Sequence, residues 1–315
     1  MGSKLVEEIA KAGEPSAEFR SIWTDLRNVA FEQGWLDVKG TKIRYLRSGA
    51  GKPRKVIMLP GTGSHAETFA PNLGPLGEQF ECWAIDIPGC GYSDKPDVPS
   101  YDSRYIAAFL KDMAEVIGAE QVDLVACSVG SWAALQAAHL YPELVRRLII
   151  VSPGGGPVPD ENDEWYEFWN LPDIATVLGS EGEARREIVK QPTWEAAEAI
   201  LTGLMPDRRR LPDDMIAARL DVNRQPGAAD VYPKVNWWVD YDLRQANGLT
   251  RDDLRNIQQP VLGMCERDDR VLVIIQAMFE ALPDSKLYRV EGVGHWPHYE
   301  TPDQFNTWAL EHLTA

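Results

Sequence analysis

Three side chains far apart in the chain, Ser128, Asp269 and His295, have the types needed to cut an acyl bond. A serine hydroxyl is a poor nucleophile until a base takes its proton. Ser128 stands in Ala126-Cys127-Ser128-Val129-Gly130. This segment follows the apolar run Val122 to Ala126 and precedes a helix-period segment that begins near Ser131-Trp132. A serine on so sharp a strand-to-helix turn needs small residues two before and two after it, because the turn crowds their side chains. Ala126 and Gly130 meet that demand. The turn would aim the hydroxyl above a sheet and put the Val129 N–H at a helix start, where partial positive charge favours a developing oxyanion. Ser131 reads as a structural hydroxyl in the first turn.

The chain has five His. His295, in Val293-Gly294-His295-Trp296, lies in a loop between the last strand-like run and the last helix, which suits a general base. His298 is its main rival; His139 falls inside a helix, His312 near the C-terminus and His65 on an early loop. An imidazole base needs a carboxylate to hold its tautomer and stabilise the imidazolium. Asp269 follows the run Pro260 to Cys265 and is the expected acid, with Asp268 the immediate alternative and Glu266 a lesser one. A second oxyanion donor is expected from Pro60-Gly61-Thr62-Gly63-Ser64-His65. Its glycines let backbone approach a ligand closely. The Thr62 N–H is the candidate, with one residue either way open. This loop has neither the Walker lysine nor dinucleotide glycine spacing. The four Cys have no metal-ligand spacing and read as reduced, buried thiols. No metal and no cofactor are expected.

Strands and helices alternate around these residues. Strand-like runs cover Gly34 to Val38, Ile43 to Arg47, Lys55 to Leu59, Cys82 to Ile85, Val122 to Ala126, Leu148 to Val151, Val261 to Cys265 and Lys286 to Val290. Ser103 to Ile117 sets Ile106, Phe109, Leu110, Met113 and Ile117 on one helical face. Trp132 to Tyr141 and Val273 to Leu282 read similarly. Thr301-Pro302-Asp303 opens a last helix with Thr301 as cap. The alternation predicts an α/β fold with a mostly parallel, doubly wound sheet, entered through a hairpin at Lys39-Gly40. Residues 157–245 break the rhythm with helical pattern rich in Pro, Trp and acids. They read as a helical cap over the sheet's C-terminal edge, where open α/β sheets place ligands. The expected division is a helical extension over 1–30, a core over 31–156 and 246–315, and the cap over 157–245.

From about Trp35 to the C-terminus the motifs and their order resemble the α/β-hydrolase fold family. The oxyanion loop resembles Gly61-Thr62-Gly63, and Asp86-Ile87-Pro88-Gly89-Cys90-Gly91-Tyr92-Ser93 is close to the family's D-x-x-G-x-G-x-S segment. The resemblance implies a serine hydrolase with the triad Ser128, Asp269 and His295. Gly294-His295-Trp296, with Glu300 and Phe305-Asn306, is similar to the meta-cleavage-product hydrolases, which cut C–C bonds in vinylogous diketone acids. Those enzymes carry Asn before the nucleophile and Gly-Gly after it; Cys127 and Val129-Gly130-Ser131 stand here. The aromatic cap and the Cys before Ser128 also resemble lactonases that open resorcylic macrolactones such as zearalenone.

Composition narrows the partners. The chain has 315 residues, 44% of them hydrophobic, a net charge of -16 and 11 Trp. It can bury a full core, and its acidity argues against nucleic acid and anionic membrane. No apolar run approaches the ~20 residues that cross a bilayer. Met1 to Arg20 shows no secretory signal, so a cytoplasmic protein is expected. Trp165, Trp169, Trp237 and Trp238 of the cap, and Trp296 beside the expected base, are candidates to line an apolar, aromatic pocket for a small molecule. The same rings could equally pack the cap onto the sheet. Phe19, Ile22, Trp23, Leu26 and Val29 give the N-terminal segment an apolar face that packs on its own domain or on a second subunit, the latter giving a homo-oligomer.

Overall fold

A computed structural model describes residues 5–14, 20–154, 157–158, 186–235, 237, 241–269 and 271–315. Nine described strands form one sheet. They are β1 (Val6–Lys11), β2 (Phe31–Val38), β3 (Thr41–Ser48), β4 (Lys55–Leu59), β5 (Glu81–Ile85), β6 (Val122–Cys127), β7 (Val145–Val151), β8 (Val261–Glu266) and β9 (Ser285–Glu291). Their order is β1-β9-β8-β7-β6-β4-β5-β3-β2. β3 is antiparallel to β2 and to β5; every other neighbour is parallel. The β2–β3 hairpin turns at Lys39 (φ 48°) and Gly40 (φ 90°), the left-handed pair that a two-residue turn demands.

Alternate residues of the parallel strands feed two core layers, because successive side chains of a strand point to opposite faces. Ile57, Leu59, Leu124, Leu148 and Ile150 pack beneath α3 (Ser103–Val116), α4 (Val129–Leu140) and α10 (Leu272–Ala281). Val56, Met58, Val125, Ile149 and Val151 pack beneath α2 (Ala70–Gly77) and α12 (Pro302–Thr314). The expected apolar face of α3 is the buried one, with Ile106, Phe109, Leu110 and Met113 all inside. α12 starts at Pro302 with Thr301 in the N-cap position, as expected, but the side chain makes no capping bond: its hydroxyl donates backward to the Pro297 carbonyl at 2.8 Å.

The described part of the cap is helical: residues 186–190, α5 (Trp194–Leu204), α6 (Asp213–Asn223), α7 (Ala228–Val235) and α8 (Tyr241–Asn247), followed by α9 (Arg251–Arg255). Ala197, Leu201, Met215 and Ile216 join the second core layer, and Val231 and Val235 the first, so the cap shares the core of the sheet. The N-terminal extension departs from expectation. Among its described residues it is helical only in α1 (Ile22–Leu26), and Val6–Lys11 instead adds edge strand β1 beside β9. The burial pattern of β1 leaves it largely exposed, so it has no long apolar run to betray it. α1 docks on its own chain: Leu26 is buried, and the Ile22 N–H donates to Asp214 of α6 at 2.7 Å. No helix among the described residues is long and apolar enough to cross a membrane.

Candidate active site

Parallel strands deliver their C-terminal ends to one edge of the sheet, and every expected site loop starts there. The Thr62 loop follows β4, Ser128 follows β6, Asp269 follows β8 and His295 follows β9. This is the edge at which open α/β sheets place ligands.

Ser128 sits at φ 55°, ψ -124°, a left-handed conformation that costs a non-glycine residue ~1–3 kcal/mol. The neighbours hold it there. The Ser128 N–H donates to Val151 at 2.9 Å, and the Ser131 hydroxyl donates to the Ala126 carbonyl at 3.0 Å, which gives Ser131 its expected structural part. Glycines let other backbone segments close in. A Cβ on Gly130 would lie 2.7 Å from the Pro60 carbonyl oxygen and 2.8 Å from that of Leu59. A Cβ on Gly61 would lie 2.8 Å from the Ser128 Cβ. A Cβ on Gly154, in the loop after β7, would lie 3.3 Å from the Ser128 Oγ. Gly154 was not singled out from sequence; only its position after a strand end marks it.

Pro60 to Ser64 forms a tight turn closed by the Ser64 N–H on the Gly61 carbonyl at 3.1 Å, with Gly63 at φ 61°. The Gly63 N–H is directed to Cys90, and among the described residues the Thr62 N–H has no acceptor. Val129 is the first residue of α4, where helix geometry leaves an N–H without an internal partner. Beneath this turn lies fully buried Asp86. Its carboxylate accepts the Ala66 N–H at 2.7 Å and the Tyr92 N–H at 2.8 Å, and Arg44 lies 3.5 Å away. Gly91, at φ 54°, leaves that carboxylate room, since a Cβ there would come within 2.3 Å of it. Ser93 donates to the Asp86 carbonyl at 2.6 Å. The Asp86-to-Ser93 motif is thus the brace under the turn. From above, Arg219 of α6, itself buried, donates to the Gly63 carbonyl, a contact sequence reasoning missed.

His295 is half-buried, and its N–H donates to the Leu204 carbonyl at the end of α5 at 2.7 Å. A Cβ on Gly294 would meet that same carbonyl oxygen at 2.2 Å, so the cap abuts the loop. His298 is fully buried on α11 (Pro297–Glu300), its ring 4.9 Å from Phe69 and 5.9 Å from Phe305. Burial, with help from nearby His295, presses its pKa down to about 3, which unfits it as a base near neutrality. Asp269 is half-buried, and its Oδ1 accepts the Val271 N–H at 2.9 Å. Asp268 is 78% exposed and lies 3.8 Å from Arg267 and 3.9 Å from Arg289, a solvated surface arrangement. Trp237 and Trp296 are buried, Trp296 in the second core layer edge-on to Tyr299. Trp165, Trp169 and Trp238 lie outside the described residues.

Residues 56–308 match the sequence profile of the alpha/beta hydrolase family. A 2-hydroxy-6-oxononadienedioate/2-hydroxy-6-oxononatrienedioate hydrolase of Paraburkholderia phymatum is 26% identical over 291 residues, 87% of this chain and 92% of that protein. Among solved structures, a 2-hydroxy-6-oxo-6-phenylhexa-2,4-dienoate hydrolase of a Rhodococcus strain superposes with a TM-score of 0.75 at 19% identity, covering 91% of this chain and 100% of the other. A Bacillus subtilis carboxylesterase superposes with a TM-score of 0.69 at 20% identity, covering 93% and 95%.

Proposed function

Taking as premise that the chain belongs to the alpha/beta hydrolase family, we propose that it cleaves a carboxylic ester or lactone of a bulky apolar or aromatic substrate, through an acyl-enzyme on Ser128. The observation that carries this reading is the left-handed Ser128 at a strand-to-helix turn, with glycines 61 and 154 packed against it. His295 takes the hydroxyl proton as Ser128 attacks the carbonyl, then returns it to the leaving oxygen. Asp269 orients the imidazole. The N–H groups of Val129 and Thr62 receive the oxyanion, in the role that backbone donors play when aimed at developing charge. Water activated by His295 then frees the acid. The substrate is a small molecule held under the cap, with Trp237 and Trp296 the described candidates for aromatic surface.

A second reading, hydrolysis of a C–C bond in a ring-fission dienoate, is favoured by the printed activity of the Paraburkholderia relative. Cys127 counts against it. Its thiol is buried in apolar surroundings that push its pKa well above the usual thiol range, and a neutral thiol is a far weaker hydrogen-bond donor than an amide. A panel of an aryl ester, a macrolactone and a dienoate, run on wild type and Ser128→Ala, tests both. Ser128→Ala should lose at least ~10³-fold on the best substrate. Near-normal turnover by that variant would refute the nucleophile, and preference for the dienoate would select the second reading.

A further inference from the structure

Glu300 stands on α11, five residues beyond His295, and is 97% buried by its 3% exposure. Its Oε1 accepts two backbone N–H groups, that of Gly294 at 2.9 Å and that of Trp296 at 3.3 Å. These are the residues on either side of His295. The His295 N–H itself is bound to Leu204 of the cap at 2.7 Å. Three consecutive amides of the loop are therefore tied, two to one carboxylate and one to the cap. The main chain of Glu300 is tied in turn, its carbonyl accepting from Arg210 of the cap at 2.7 Å. The other oxygen, Oε2, is buried with no hydrogen-bond partner among the described residues. A buried carboxylate is costly, and a fold seldom keeps one with an oxygen unserved unless the other does something required.

We propose that Glu300 is a positioning residue that holds the backbone of His295 in the register needed for proton transfer from Ser128, and that it does so as a charged acceptor. The inference rests on His295 being the base. A carboxylate binds N–H groups about twice as strongly as a neutral acceptor does. Protonation, which falls to the unserved Oε2, therefore loosens the loop without unfolding it.

The groups around Glu300 bear on when that happens. Arg210 of the cap favours its charge, and Glu266 at the end of β8 opposes it. Arg20 donates to the neighbouring Tyr299 carbonyl at 2.9 Å. Lys11, Arg209, Glu14 and Asp303 line the cleft beside it. His298, on its own helix, is held neutral by burial, and His295 lies on the loop that Glu300 holds. Burial is the largest influence and raises the Glu300 pKa to about 7.

The test is the rate at which a fluorophosphonate labels Ser128, which needs nucleophile and base but no knowledge of the substrate. In wild type the rate should fall as the pH is lowered through about 7, where Glu300 gains its proton. Glu300→Gln should label about tenfold more slowly at pH 8, with unchanged reagent affinity, and should lose the part of the acid limb centred near pH 7. An acid limb that is the same in wild type and in Glu300→Gln would overturn the proposal. So would a Glu300→Gln protein, folded by circular dichroism, that labels at the wild-type rate. Labelling that persists in Ser128→Ala would instead overturn the hydrolase reading on which the proposal rests.

Discussion

Gly130→Ala probes the nucleophile turn without touching a reacting group. The added Cβ would lie 2.7 Å from the Pro60 carbonyl oxygen, 2.8 Å from the Leu59 carbonyl oxygen and 3.1 Å from the Leu59 Cβ. All three atoms belong to the end of β4 or to the residue after it. β4 is hydrogen-bonded on both sides, to β5 and β6, and cannot yield the ~0.7 Å that would restore ordinary contact. The helix must move instead, and α4 carries Val129 at its head. Overpacking of this kind costs ~1–3 kcal/mol. Displacing one oxyanion donor costs ~10²–10³ in kcat. The expected variant is therefore folded, destabilised by about 2 kcal/mol in urea titration, and ~10²-fold slower with little change in KM. A variant of wild-type stability would show that the turn accommodates a methyl group. One that is destabilised yet fully active would show that the Val129 N–H is not a donor in the reaction.

Asp269→Asn should lower kcat by ~10²–10⁴ while Asp268→Asn leaves it nearly unchanged, because Asp268 is a solvated surface charge; the reverse order would move the acid by one residue. Glu300 also makes a stability prediction with a defined sign. Its carboxyl is half-protonated at 4.5 in the unfolded chain and at about 7 in the folded one. The folded state therefore holds a proton that the unfolded state has lost, and wild-type stability falls as pH rises through that window. Relative to wild type, Glu300→Gln should gain ~3 kcal/mol between pH 4.5 and pH 8, at ~1.4 kcal/mol per pH unit. Urea titrations of both proteins across that range measure the difference, and a flat difference would mean that the carboxylate is not buried at this cost.

What could be read in the chain followed from local rules. Ala126 and Gly130 around Ser128 announce a tight turn because only small side chains fit it. Lys39-Gly40 announces a hairpin because the turn needs positive φ. The alternation of apolar runs with helical periods announces a parallel sheet whose loops meet at one edge, and so Ser128, Asp269 and His295 could be named together from motif order. β1 escaped because an exposed edge strand leaves no apolar signature. The choice among His residues needed the fold as well: His298 is one residue pair from His295, but its ring lies between Phe69 and Phe305 rather than on the loop.

The sequence by itself thus determined the class of fold and named the candidate reacting groups, since both depend on residue types at short range. Only the tertiary structure decided what holds those groups. Arg219 reaches the Gly63 carbonyl from 156 residues away, Leu204 takes the His295 N–H from the cap, and Gly154 comes against Ser128 from a different strand end. Glu300 is near His295 in sequence, yet its carboxylate spans Gly294 and Trp296 only because α11 folds back over the loop. Each of these contacts depends on the packing of elements distant in the chain or on the path of a turn, and no local pattern of residue types encodes either.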